Sequence, residues 1–240
     1  MGRGVRTIGA LLVIAGVGAL AWAFVVWRWE DPFTALYTSY EQHKLASNYE
    51  HRFASFHPPV DRHADEVTAE RRLISVEART YRRTLHTGQA LGRIIVPRLG
   101  LNIILVTGTD HDSLMKGPGW YMRSRLPGEG QLVYIAGHRT TYLAPFAHID
   151  ALRLGDRVTI ELPYGTFVYE IQGHKIVSAD DLSRLRSHNR EILALQACHP
   201  RFFATHRYIA YGVPIRVIPR KVLGPPYAVP FERLPPGTTA

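Results

Sequence analysis

The chain of 240 residues contains one cysteine, Cys198. A lone cysteine excludes an intrachain disulfide, so its place in the sequence rests on packing or on reactivity. Other absences narrow the chemistry further. There is no HExxH and no CxxC, and a single Cys198-His199 pair is too sparse for a zinc site. No GxGxxG or phosphate loop precedes a helix, which removes the common dinucleotide and nucleotide cradles. Neither a metal nor a cofactor is therefore expected. No basic run is interleaved with aromatics, so nucleic acid is not an expected partner.

One long apolar run is present. Residues 8–27 carry no charge and are apolar apart from glycines, about the length that crosses a bilayer. Arg3 and Arg6 precede the run, while Glu30 and Asp31 come after it, which favours a cytoplasmic N-terminus and an exported remainder. A secretory signal core stops after about 7–15 apolar residues. This one continues through Phe24, Val25, Val26 and Trp27, so an uncleaved single-pass anchor is expected, preceded by a short cytoplasmic segment (1–7). The net charge is +9, and it is uneven: residues 28–90 are neutral overall, whereas 91–240 hold 18 basic against 11 acidic side chains. That excess suits an anionic surface such as a membrane or wall polymer, and suits a solvated surface equally well.

After the apolar run, Phe33, Leu36, Tyr37 and Tyr40 recur at helical spacing, and then Leu45, Tyr49, Phe53 and Phe56. Pro58-Pro59 ends that segment, and Asp61 opens a second helical stretch that stops at Thr87-Gly88. Residues 28–90 are thus expected to form a helical stalk, or an arm packed on the C-terminal domain. From Gly92 the pattern changes to short strands: 93–97, 102–107, 131–136, 157–162, 166–172, 175–178, 191–197 and 207–211. Alternation is clear in Arg157-Val158-Thr159-Ile160-Glu161-Leu162 and in Thr166-Phe167-Val168-Tyr169-Glu170-Ile171, on either side of a turn at Pro163-Tyr164-Gly165. Eight short strands separated by glycine and proline turns predict a mostly antiparallel, closed or nearly closed sheet over residues 91–220. The tail, 221–240, is rich in proline and expected to be irregular.

Cys198 closes the apolar run Leu193-Ala194-Leu195-Gln196-Ala197, and Arg207 lies nine positions later. A second run, Leu132-Val133-Tyr134-Ile135-Ala136-Gly137, ends in His138-Arg139. A thiolate is the nucleophilic form of cysteine. A histidine exchanges its proton and later protonates a departing amine, and an arginine stabilises the oxyanion that forms between. Taken alone, a cysteine beside strand residues is more often a core filler. His138 competes with eleven other histidines, and Arg207 with 24 other arginines. His199 adjoins the thiol, yet neighbours on an extended strand face opposite ways, which makes it the poorer proton donor.

Ordered blocks in the second half of the chain resemble those of the sortases, membrane-anchored cysteine transpeptidases of Gram-positive bacteria. They are Ile95-Val96-Pro97-Arg98-Leu99-Gly100-Leu101, Gly117-Pro118-Gly119, Leu126-Pro127-Gly128-Glu129, Ala136-Gly137-His138-Arg139-Thr140-Thr141, Leu154-Gly155-Asp156, and the Cys198 and Arg207 strands. The His-Arg-Thr-Thr and Cys-His-Pro blocks are most similar to class E sortases of actinobacteria. The resemblance implies a mainly β fold: an eight-stranded sortase-like β-barrel with short connecting helices, preceded by a transmembrane helix and a helical membrane-proximal segment. It implies Cys198 as nucleophile, His138 as general acid/base and Arg207 in substrate positioning or oxyanion stabilisation. The expected substrates are secreted proteins with a C-terminal LPxTG- or LAxTG-like sorting signal, and the acceptor is an amine of a peptidoglycan precursor or a pilin. The enzyme is expected as a monomer in the cell membrane with its catalytic domain outside. Some sortases use calcium, but no acidic cluster near the strand ends argues for it here. One departure stands out: Ala194 and Ala197 replace the threonines of the family's Thr-Leu-x-Thr-Cys. A hydrolase on the same barrel and a non-catalytic binding module are the alternatives. A peptidoglycan L,D-transpeptidase is disfavoured because its Ser-His-Gly-Cys block is missing.

Overall fold

Alternating apolar residues need a sheet whose one side is dry, and here that side is the inside of a closed barrel. The computed structural model describes residues 2–29, 32–56, 66–187 and 190–220. Pro58-Pro59, Asp61 and the proline-rich tail lie outside them. Helices α1 (Gly2–Trp29), α2 (Pro32–Ser55) and α3 (Glu66–Arg83) precede the barrel. Its strands are β1 (Ala90–Val96), β2 (Leu101–Thr107), β3 (Gly119–Trp120), β4 (Leu132–Ala136), β5 (Arg157–Leu162), β6 (Gly165–Ser178), β7 (Ile192–His199) and β8 (His206–Pro219). A one-turn helix, α4 (His111–Leu114), sits between β2 and β3. The strands close in the order β1-β2-β3-β4-β7-β8-β6-β5.

The count of eight matches the sequence reading, but two of its members differ. The expected strands 166–172 and 175–178 are one continuous β6, whose register against β8 shifts between Ile171 and Gly173. A glycine inside a strand can mark such a bulge rather than a turn. The eighth place is taken by β3, two residues that are too short to show alternation. Most pairs are antiparallel, as expected, but β2–β3 and β4–β7 are parallel. The second of these decides where the chemistry sits.

Inside the barrel, Ile94, Leu105, Val133, Ile135, Val158, Ile160, Phe167, Tyr169, Leu193 and Leu195 form the main core. Helix α3 adds Ile74, Ala78 and Tyr81 to it, and Leu85 just beyond its end joins them. The buried Tyr81 hydroxyl donates to the Leu91 carbonyl at 2.7 Å, which satisfies the one polar atom the ring carries inward. Helix α2 lies along the barrel wall. Leu45 and Tyr49 are buried there with Ala90, Ile104 and Val106. Gln42 donates to the carbonyls of Ile104 (3.0 Å) and Lys116 (2.7 Å) and accepts from the Ile104 amide (2.8 Å). The Arg220 guanidinium reaches the Phe53 carbonyl near the far end of the helix. Helix α1 holds a 20-residue apolar stretch, Arg6–Val25, none of which is buried within the chain.

Candidate active site

The parallel β4–β7 pair runs Leu132–Ala136 beside Ile192–Gln196, and the Gly137 amide still donates to the Gln196 carbonyl at 3.0 Å. His138 and Cys198 each stand two residues beyond the last pair, Ala136 with Gln196. On the other side of β7, Cys198 pairs directly with Arg207 of β8. The three residues therefore come from adjacent strand ends on one edge of the barrel. A period of two along each strand assigns their faces. Leu132, Tyr134 and Ala136 of β4, Ala194 of β7, Ile209 of β8 and Val177 of β6 form a second apolar cluster, outside the main core. Cys198 has the parity of Ala194, and Arg207 that of Ile209. The thiol and guanidinium thus continue a groove floor made of the rows Tyr134–Ala194–Tyr211 and Ala136–Gln196–Ile209.

Ala194 and Ala197, where threonines were expected, are both fully buried, Ala194 under the groove floor and Ala197 in the main core. A hydroxyl at either place would need a partner in apolar surroundings. At the floor the polar function is carried instead by Gln196, whose Oε1 accepts from the Tyr134 hydroxyl at 2.7 Å.

His138 opens the segment after β4. Gly137 before it has no room for a side chain, since a Cβ there would lie 2.6 Å from the buried Phe146 ring. Burial, and secondarily the charge of His111, lower the His138 pKa from its ordinary 6.5. Its Nε2 is buried and has no hydrogen-bond partner among the described residues. The ring packs on Tyr142 (centroids 5.1 Å apart), and Tyr142 in turn meets His111 edge-on at 6.4 Å. Tyr142, Leu143 and Ala144 all have positive φ, at 54°, 61° and 35°. Three successive non-glycine residues in the left-handed region cost about 1–2 kcal/mol each, and such strain collects where a loop must be held in one shape. Hydrogen bonds hold it: Phe146 N–H to His138 O (3.0 Å), Ala144 N–H to Thr141 O (2.9 Å), and Tyr142 N–H to the Thr34 Oγ1 of α2 (3.0 Å).

In the sequence Arg139 reads only as context for His138; the structure gives it a position beneath the thiol. It is 4% exposed. Its Nη2 lies 2.6 Å from Asp150, its Nε donates to the Ala147 carbonyl (3.2 Å), and its Nη1 reaches the Cys198 carbonyl (3.4 Å) and His199 Nδ1 (3.1 Å). One side chain thus ties the His138 segment to the Cys198 backbone. An arginine straight after a buried strand is the signal that a partner is needed. Spacing could not name Asp150. His199 faces away from the groove, toward Arg139 and the Tyr208 ring of the main core. Arg207 Nη1 donates to the carbonyls of Ala204 (2.7 Å) and His206 (2.9 Å), which fixes the guanidinium over the β7–β8 turn. Cys198 is half-buried and free of any disulfide. Among the described residues no group of three acidic, histidine or cysteine side chains is placed to hold a metal.

Comparison with known proteins places the scaffold. Among curated proteins, Sortase D of Bacillus subtilis (strain 168) is 40% identical over 130 residues, which cover 52% of this chain and 64% of that protein. The chain thus spans under two thirds of the length of this relative. A solved Sortase D5 transpeptidase of Clostridium perfringens aligns with TM-score 0.58 and 21% identity, over 73% of this chain and 98% of that one. Sortase E of Streptomyces avermitilis aligns with TM-score 0.51 and 28% identity, over 56% of this chain and 93% of that one. The sortase domain family model matches residues 94–215, half of the chain and nearly all of the barrel, so this chain belongs to the sortase family of cysteine transpeptidases.

Proposed function

We propose that this chain is a membrane-anchored transpeptidase that cleaves an LPxTG- or LAxTG-like sorting signal and passes the cleaved protein to an amine. The observation that carries the reading is the row at the strand ends: Cys198 paired with Arg207, and His138 two residues past the parallel pair. Cys198 Sγ attacks the carbonyl of the Thr-Gly bond, and the oxyanion of the tetrahedral intermediate meets the Arg207 guanidinium. The C–N bond then breaks. His138 gives its proton to the departing glycine amine, leaving a thioester on Cys198. An amine attacks the thioester, His138 takes the amine's proton, and the thiol is released as the new amide forms. The acceptor in this reading is a peptidoglycan precursor or a pilin lysine, and the substrates are secreted proteins with a C-terminal signal.

Burial holds the His138 pKa below its ordinary 6.5, and in this cycle the proton it gives to the leaving amine is the one it takes from the Cys198 thiol. Helix α1 serves as the single-pass anchor, N-terminus inside and barrel outside. Its unburied 20-residue span, Arg6–Val25, apolar from Ile8 onward apart from glycines, supports that assignment. As to class, the His-Arg-Thr-Thr block favours class E, and the identity to a Sortase D favours class D.

The test is a sorting-signal peptide library incubated with the full chain, with and without a glycine-based amine, and read by mass spectrometry. A thioester mass on Cys198 and amine-dependent product are expected, and both should vanish in Cys198→Ala. Product formed only by hydrolysis would replace the transpeptidase by a hydrolase. A wild-type chain that never forms the thioester would leave a binding module.

A further inference from the structure

Helix α2 has its faces reversed for a helix in water. At about 100° per residue, Thr34, Thr38, Gln42, Leu45 and Tyr49 share one face, and contacts place that face on the barrel. Thr34 accepts from Tyr142, Thr38 donates to the Met115 carbonyl at 2.7 Å, Gln42 binds β2, and Leu45 and Tyr49 are buried. Phe33, Leu36, Tyr37 and Tyr40 lie on the opposite face, centred roughly 150° away. They are 73%, 73%, 40% and 63% exposed. The first two turns thus turn two threonines toward protein and a leucine with three aromatic rings outward. That is the pattern of a helix whose outer surroundings are apolar.

The same stripe is continuous with the apolar helix. Only residues 30 and 31 separate α1 from α2, and the Phe33 ring meets Trp22 with centroids 5.5 Å apart. Trp22 lies inside the Arg6–Val25 stretch, so α2 begins at the level of that stretch rather than beyond it. Tyrosine, tryptophan and phenylalanine at this junction suit the headgroup layer, where an apolar ring and a polar tip are both accommodated. From there α2 runs the length of the barrel. Thr34 touches the Tyr142 loop beside His138, and Phe53 meets Arg220 after the last strand. The catalytic edge is therefore the membrane-side edge. The β7–β8 turn at the same edge adds two exposed rings, Phe202 (53%) and Phe203 (76%).

We infer that the Phe33–Leu36–Tyr37–Tyr40 face of α2 lies in the lipid headgroup layer and seats the barrel with the Cys198 groove opening at the membrane surface. The inference rests on reading α1 as a membrane span, and goes beyond it by fixing the orientation of the barrel. It implies that the site meets peptide bonds displayed close to the bilayer rather than far out in the wall.

The full chain is reconstituted in vesicles of phosphatidylcholine and phosphatidylglycerol in a Cys198→Ala background. Single cysteines at Leu36→Cys, Tyr40→Cys or Glu50→Cys carry an environment-sensitive fluorophore. Position 50 is exposed on the same helix and about 21 Å further along than 36. Lipids brominated near the headgroup should quench the labels at 36 and 40 at least about twofold more than the label at 50. Equal quenching at all three positions, with the chain still resisting alkaline extraction, would overturn the orientation and leave the span standing. Release of the chain by alkaline extraction would remove the span and the orientation together. Energy transfer between labels of different copies, with no lipid quenching at 36 and 40, would assign the face to a second copy of the chain and overturn the lipid assignment.

Discussion

Replacing Arg139 by methionine removes a side chain that joins the His138 segment to the Cys198 strand while keeping most of its volume. Its hydrogen bonds to the carbonyls of Ala147 (3.2 Å) and Cys198 (3.4 Å) are charge-assisted, a kind worth about 1.5–3 kcal/mol each. Both are long, so the low end applies. The Asp150 side chain is 52% exposed and regains water when the arginine leaves, which holds the ion pair near the surface value of about 0.2–1 kcal/mol. Methionine also spares the cost of burying a charge. The net loss expected is about 2–4 kcal/mol, or roughly 4–16 °C in melting temperature. Asp150→Asn, by the same reasoning, costs under about 1 kcal/mol. Urea denaturation of Arg139→Met, Asp150→Asn and the double variant measures all three quantities. Because the Cys198 carbonyl loses its tether, kcat on a sorting-signal peptide should fall about tenfold with little change in KM. Unfolding of Arg139→Met within about 1 kcal/mol of the parent, or an Asp150→Asn as damaging as Arg139→Met, would refute this reasoning.

His111→Gln removes the positive neighbour that helps depress the His138 pKa, so that pKa should move back toward 6.5, with burial still holding it below; NMR titration of the imidazole reads the shift, and a downward move would contradict it. Glu191 accepts from the amides of Gly128 (2.8 Å) and Gly130 (3.1 Å) and from the Tyr169 hydroxyl (2.6 Å), and burial pushes its carboxyl up. Glu191→Ala should therefore cost about 3 kcal/mol in urea denaturation and Glu191→Gln no more than about 1, since the amide keeps an acceptor for the two glycines. Equal costs would show that the 126–130 loop does not depend on it. Burial lowers the pKa values of His138, His174 and His199, so the unfolded chain takes up these protons first as the pH drops. Stability should be flat above 6.5 with respect to these groups and decline below it toward their folded values, as seen by melting temperature against pH; a midpoint that rises in that window would count against the assignment.

The barrel was legible in its antiparallel parts, because Arg157–Leu162 and Thr166–Ile171 alternate strictly and are joined by a short turn. Cys198 and Arg207 could be named but not brought together, and it is the seven consecutive pairs registering β7 on β8 that set them opposite each other in the structure. The approach of His138 was not derivable from periodicity. It depends on a parallel pairing between strands separated by 55 residues of intervening chain, β5 and β6 included, and no local pattern encodes such a partner. There the ordered blocks of the family carried the reading. The same limit hid β3, which has two residues, and Asp150, which is not adjacent to Arg139 in sequence. In the first helix after the apolar run, Phe33, Leu36, Tyr37 and Tyr40 had the spacing of an inward stripe. They face outward because Leu45 and Tyr49, on the opposite side, meet the barrel first. Period identifies a face, and only the partner decides which face is inside.

That reversal bears on how the site is built. The strained turn at Tyr142, Leu143 and Ala144 carries the ring that packs on His138, and one of its tethers is Thr34 of α2 rather than any barrel residue. Three left-handed residues store several kcal/mol in total, more than any single backbone hydrogen bond returns. The conformation therefore depends on several supports acting together: Arg139 below, Phe146 against Gly137 behind, and Thr34 of α2. His138 is thus positioned partly by a helix that precedes the barrel in sequence. A barrel cut at Ala90 would keep Cys198 and Arg207 in register on β7 and β8, yet would lose the support that fixes the Tyr142 turn. Helix α2 therefore belongs to the candidate site as much as to the segment that follows α1.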